Sequence, residues 1–142
     1  MKKLLFIISA LALMAACATP YQRASRQTSN GYFDAKLQEG MYEVFFNGNQ
    51  NTSFSKAHDF ALLRAAEVCL ENNYSSFEIT RQMEDFTEKE SETGITLFGG
   101  KISDIVKSEP KITLVIRCSK GNDLTYKAAE LKTNLRTRYK LQ

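Results

Sequence analysis

MYEVFFNGNQNTSFSKAHDFALLRAAEVCLENNYSSFEITRQM, residues 41–83, decides the fold. Met41 to Phe46 is rich in aromatic and branched residues and stops at Asn47-Gly48-Asn49, a turn signal, so it reads as a strand with Tyr42, Val44 and Phe46 on one side. A helix follows, with Thr52, Ser53 or Ser55 available as its N-cap, and runs to about Asn72. At 100° per residue, Lys56, Arg64, Glu67 and Glu71 gather on one narrow arc. Ala61, Leu62, Ala65, Ala66, Val68 and Cys69 fill the broad opposite face, whose alanines suit close packing on a sheet. Asn72-Asn73 closes the helix, and Phe77 to Met83 reads as a second strand with Phe77, Ile79 and Met83 together. A helix between two strands is usually a right-handed crossover, which makes those strands parallel.

Downstream, residues 84–109 read as a long polar segment broken at Gly94 and Gly99-Gly100, with a short extra strand expected in 95–98 or 101–106. Long loops of this kind are functional or disordered. Lys111 to Cys118 is the clearest strand, with Ile112, Leu114, Ile116 and Cys118 on one face. Gly121-Asn122-Asp123 then caps a C-terminal helix reaching about Tyr139, with Leu124, Ala128, Leu131, Leu135 and Tyr139 along one stripe. The expected class is α+β: a small two-layer sandwich with a three- or four-stranded sheet and helices packed on one face.

Upstream, Lys2 and Lys3 precede an apolar run, Leu4 to Met14, that is too short for a transmembrane helix of about 20 residues. It reads as a secretory signal, residues 1–16. Met14-Ala15-Ala16-Cys17 resembles the bacterial lipobox, with Met14 where Leu is usual. That resemblance implies cleavage before Cys17, a diacylglycerol thioether on its sulfur and acylation of its new amine. Ala18, rather than Asp, then implies sorting to the outer membrane, with the domain facing the periplasm. Residues 17–33 read as the lipidated cysteine and a flexible polar tether, and 34–142 as a single domain. Removing the signal leaves about 126 residues of net charge about +1, which is no nucleic-acid signature.

Gly31-Tyr32, then Val44-Phe45-Phe46-Asn47-Gly48-Asn49, then Asp59-Phe-Ala-Leu-Leu-Arg-Ala-Ala-Glu67, then Tyr74 and Phe77 occur in that order. In this the chain resembles a family of small bacterial lipoproteins of unknown function, from about Gly31 to the C-terminus. Members often carry Gly just before the aromatic after the helix; here Asn73 precedes Tyr74, and Asn also tolerates a left-handed C-cap. The resemblance supports the anchor and the fold and implies no reaction.

Candidate chemistry is sparse. Cys69 and Cys118 both belong to apolar faces, and a disulfide between them would close a loop of about 49 residues. Two buried thiols satisfy the same pattern, because bonding is decided by geometry. His58 is the one histidine, and no Gly-x-Ser-x-Gly elbow surrounds a serine. The acidic run Glu84 to Glu92 lacks the ligand order of an EF-hand. Lys132, Arg136, Arg138 and Lys140 suit either a helix C-terminus or anionic headgroups. The expected function is a non-enzymatic envelope interaction or accessory module without a cofactor, bound to the membrane through Cys17 and to an envelope protein partner. The alternative is a small-ligand binder or enzyme whose pocket pattern does not reveal.

Overall fold

The computed structural model describes residues 17–89 and 107–142. The expected signal peptide and the expected short strand within 95–106 lie outside them. Chain order is β1 (Gly31–Gln38), β2 (Met41–Asn47), α1 (Phe54–Glu71), β3 (Ser76–Lys89), β4 (Lys107–Ser119), β5 (Tyr126–Lys127) and α2 (Ala128–Arg138). The strands form one antiparallel sheet in the order β1-β2-β4-β3-β5. The class is therefore α+β with five strands, two more than the three the sequence marks most clearly. The additions are β1 and the two-residue β5.

β2 and β3 run in the same direction, as a crossover helix between them requires, but they are not neighbours. β4 lies between them and pairs antiparallel with both. Tyr42, Val44 and Phe46 of β2 and Ile112, Leu114 and Ile116 of β4 form the apolar floor on which α1 rests. Phe46, Phe60 and Phe77 are almost wholly buried, and burial of such a side chain stabilises by about 1.5–3 kcal/mol. Phe60 of α1 is the hub, its ring 5.2 Å from Phe46, 5.3 Å from Tyr21 and 4.9 Å from Tyr139.

Local signals set the helix ends. Ser53 is the N-cap of α1, its Oγ accepting from the Lys56 N–H at 3.2 Å. At the other end Asn73 takes a left-handed conformation, φ 61°, and the Tyr74 N–H donates to the Cys69 carbonyl at 2.9 Å. The second helix starts later than expected: Gly121-Asn122-Asp123 precedes β5, and α2 begins only at Ala128.

Three expectations are corrected. First, a bulge between Ile79 and Arg81 shifts the register of β3, and a one-residue slip sends every later side chain to the opposite face. Phe77 and Ile79 point into the core, but Met83 is 45% exposed. Second, both ends of the polar segment 84–109 are strand: Glu84 pairs with Ile112 and Lys89 with Lys107. The backbone ladder continues there without an apolar face to announce it.

Third, residues 17–30 lie against the domain as a strap rather than leaving it as a flexible tether. Thr19 is buried and Tyr21 packs on Phe60. The Tyr32 N–H donates to the Gln22 carbonyl and the Ala24 N–H to the Tyr32 carbonyl, both at 2.8 Å. Gly31, at φ 125°, permits this approach, since a Cβ there would stand 2.4 Å from the Gln22 carbonyl oxygen. The folded unit thus includes the strap, and β1 begins inside the stretch 17–33.

Cys69 of α1 and Cys118 of β4 are joined as a disulfide, with Cα atoms 6.0 Å apart and a separation of 49 positions in sequence. It ties the helix to a central strand. In the chain-entropy model a loop of that length contributes about 4 kcal/mol. Cys69→Ala/Cys118→Ala is expected to lower the unfolding free energy by about that amount. Urea melts of the variant against the oxidised parent check it, and coincident melts would contradict the assignment.

Candidate functional site

The middle of the charged arc of α1 is shielded from solvent, while Glu71 at its end is exposed. Arg64 is 6% and Glu67 8% exposed, and buried ions need partners. The Arg64 guanidinium donates from Nη1 and Nη2 to the two Glu71 oxygens at 2.8 and 2.9 Å, and from Nε to Asp34 of β1 at 2.8 Å. Its flat face covers Tyr32, 5.0 Å from the ring centroid. Glu67 accepts from the Tyr21 hydroxyl at 2.5 Å and from Arg136 of α2 at 2.9 Å. One helical arc therefore engages the strap, β1 and α2. Nearby, Asp59 accepts from Arg138 at 2.8 Å and from the Tyr139 hydroxyl at 2.7 Å.

These contacts move proton affinities. Burial alone disfavours the Arg64 charge, but hydrogen bonds to Glu71 and Asp34 outweigh it and hold the guanidinium firmly protonated. Burial, then the hydrogen bond to Glu67, pushes the Tyr21 hydroxyl well above the ordinary phenol range. Burial and the Asp59 bond push Tyr139 up to about 12. The basic C-terminal cluster is divided by the same pairings, because Arg136 and Arg138 are spent on α1 carboxylates.

The other sequence candidates fall apart from one another. Cys17 lies exposed at one corner of the sheet, its carbonyl oxygen accepting from Asn49 Nδ2 at 2.9 Å. Cys69 and Cys118 are bonded within the core. His58 Nε2 sits 3.4 Å from Gln82 Oε1, beside no nucleophile's hydrogen bond among the described residues. Among the described residues no group of three or more His, Cys, Asp or Glu is placed to hold a metal. Open clefts among the described residues include one of about 280 Å³ beside Tyr126 and Glu130 and one of about 320 Å³ beside Tyr74, Arg117 and Asp123. Neither contains a histidine. Among the described residues no helix is long and apolar enough to cross a membrane.

No family model, curated protein or solved structure matches the chain. Function has to be read from the residues themselves.

The surface feature that sequence reasoning missed is the outer face of the sheet. Phe33 of β1, Phe45 of β2, Thr113 of β4 and Met83 of β3 are consecutive register partners, so they form one row across four strands. Phe33 is 50% exposed, and its ring lies 5.9 Å from Phe45. Leu37 is also exposed, and Val115 lies in the next row between Glu43 and Arg81. Single exposed apolar residues are ordinary on a surface; here Phe33 and Met83 share one row with the partly buried Phe45 and Thr113. The signal was present in β1, where Phe33, Ala35 and Leu37 alternate, but the expected tether runs through Phe33 and the expected domain has no strand before Met41.

Two outcomes test the buried network. Arg64→Met should cost about 3 kcal/mol or more, because it leaves Asp34 without its Arg64 bond and removes the 3.4 Å bond from Arg64 Nη1 to Glu67. It should also open the strap to trypsin at Arg23 and Arg26, with Arg64→Lys intermediate; unchanged digestion would separate the strap from the network. On the alkaline side, folded pKa values above the ordinary 10.0 favour neutral Tyr21 and Tyr139. Stability should hold below pH 10 and fall as pH rises toward and through about 12. Tyr139→Phe should be less stable at neutral pH yet lose less above pH 10, as denaturant melts across that range would show.

Proposed function

We propose that this chain is a lipid-anchored protein of the bacterial envelope, held through Cys17 in the outer membrane and facing the periplasm, that works by binding a protein partner rather than by catalysis. The observation that carries the reading is the apolar row Phe33-Phe45-Thr113-Met83 on the sheet face opposite α1. Half-exposed Phe33, its ring tilted against that of Phe45, and half-exposed Met83 beyond Thr113 make an anchor for another protein, and Glu43, Arg81 and Arg117 around them supply a polar rim. Support for the location comes from the signal-like leader and the Met14-Ala15-Ala16-Cys17 sequence. The disulfide fits an oxidising compartment. The polar segment 84–109, read from the sequence as a functional or disordered loop, has its middle outside the described residues, and the outer face has the stronger claim.

Photoreactive residues in place of Phe33 and Met83, in living cells, are expected to capture the same protein at both positions, and Phe45→Asp should abolish capture. A Lys120 probe at the far end of the sheet serves as the control. Capture of nothing beyond lipid from either row position, with Cys17→Ser released into the soluble fraction, would leave the anchor and remove the partner surface.

A further inference from the structure

The strap ends on a fixed corner. Asn49 donates its side-chain N–H to the Cys17 carbonyl and its backbone N–H to Thr19 Oγ1 at 2.8 Å. The Thr19 N–H donates to Thr52 Oγ1, which donates in turn to Asn49 Oδ1, each at 2.9 Å. The bond at Cys17 uses its carbonyl oxygen, not the sulfur or nitrogen that lipidation modifies. Next to Asn49 is the buried Gly48, whose N–H donates to the carbonyl of the buried Pro110 at 2.8 Å. Pro110 stands opposite Phe86 in the β3–β4 ladder. The Phe86 ring is 5.6 Å from Phe54 and the residue is 49% exposed.

We propose that this corner is a membrane-contact surface: Phe86 and Phe54 enter the interfacial layer of the same bilayer that holds the lipid on Cys17. The inference rests on the lipid-anchor reading above. Cys17 itself is held at this corner, so acyl chains on it would start within the Asn49 network. A free tether of 14 residues would separate domain and bilayer by roughly 20 Å; a docked strap leaves no such gap. Apolar side chains such as Phe bury at the headgroup–acyl boundary when a surface lies against a membrane, and an exposed phenylalanine beside the anchor gains by entering it. Glu84 and Asp85, both exposed next to Phe86, select zwitterionic headgroups over anionic ones.

The test uses the full chain, processed in cells, purified with its lipid and reconstituted into phosphatidylcholine vesicles containing nitroxide-bearing lipid. An environment-sensitive fluorophore is placed on Phe86→Cys or, at the opposite end of the sheet, on Lys120→Cys, and intact mass is measured on both. The expected result is lipid on Cys17, blue-shifted and quenched emission at 86, and unquenched emission at 120. Thr19→Val/Asn49→Ala, which unfastens the Cys17 end of the strap, should abolish quenching at 86 while the protein stays lipidated and vesicle-bound. Lipid on Cys17 with 86 unquenched, or with quenching that survives the unfastened strap, overturns the contact surface and leaves the anchor standing. A mass without lipid removes both.

Discussion

Arg64 and Glu67 stand one turn apart on α1 with almost no access to water, so every element that covers them has to bring a partner. β1 brings Asp34, the strap brings the Tyr21 hydroxyl and α2 brings Arg136. Desolvating two ions costs several kcal/mol each before any pairing. The network is consequently better understood as a condition on assembly than as a source of surplus stability. An apolar arc would accept any apolar cover. This arc accepts only a cover carrying a carboxylate, a phenol and a guanidinium at set places.

The other side of α1 follows different rules. Its alanines let the helix approach the sheet, Phe60 gathers three aromatic rings, and Cys69 is bonded to β4. Non-directional burial supplies the driving force there, and the disulfide limits how the helix can slide along the strand. The ionic arc then fixes what lies on top. The helix is thus specified twice, by packing beneath and by charge above. This explains how a domain of modest size keeps its peripheral pieces, the strap and α2, in defined positions.

Legibility followed the same division. The alternation of Tyr42, Val44 and Phe46, that of Ile112 to Cys118 and the broad apolar face of α1 all placed core residues correctly, because burial leaves a period in the sequence. The bulge at Thr80 left none. It exchanges faces for Met83 through a backbone irregularity, with the Thr80 hydroxyl donating to the Val115 carbonyl. Residues 84–89 form strand because their backbone pairs with β4, and polar side chains do not announce such pairing. The strap was misread for a related reason: Thr19, Asn49 and Thr52 satisfy one another in three dimensions, while in sequence each is an ordinary loop residue. Nor could pattern alone join Cys69 to Cys118, although both lay on the correct faces.

Docking the strap changes what an anchor at Cys17 would mean. A flexible stalk lets a domain sample every orientation above a membrane, and no face is then privileged. A strap held through Thr19, Tyr21 and Gln22 makes the position of Cys17 a property of the fold. The corner of Asn49, Pro110 and Phe86 would face the bilayer, and Gly40 and Lys120, at the other ends of β2 and β4, would stand farthest from it. The row from Phe33 to Met83 crosses the strands, so it would lie beside the membrane rather than against it, open to a partner anchored in the same leaflet. Orientation of that kind replaces part of the entropy a partner would otherwise lose on binding. It gives a small apolar row a use that the same row on a freely tumbling domain would lack.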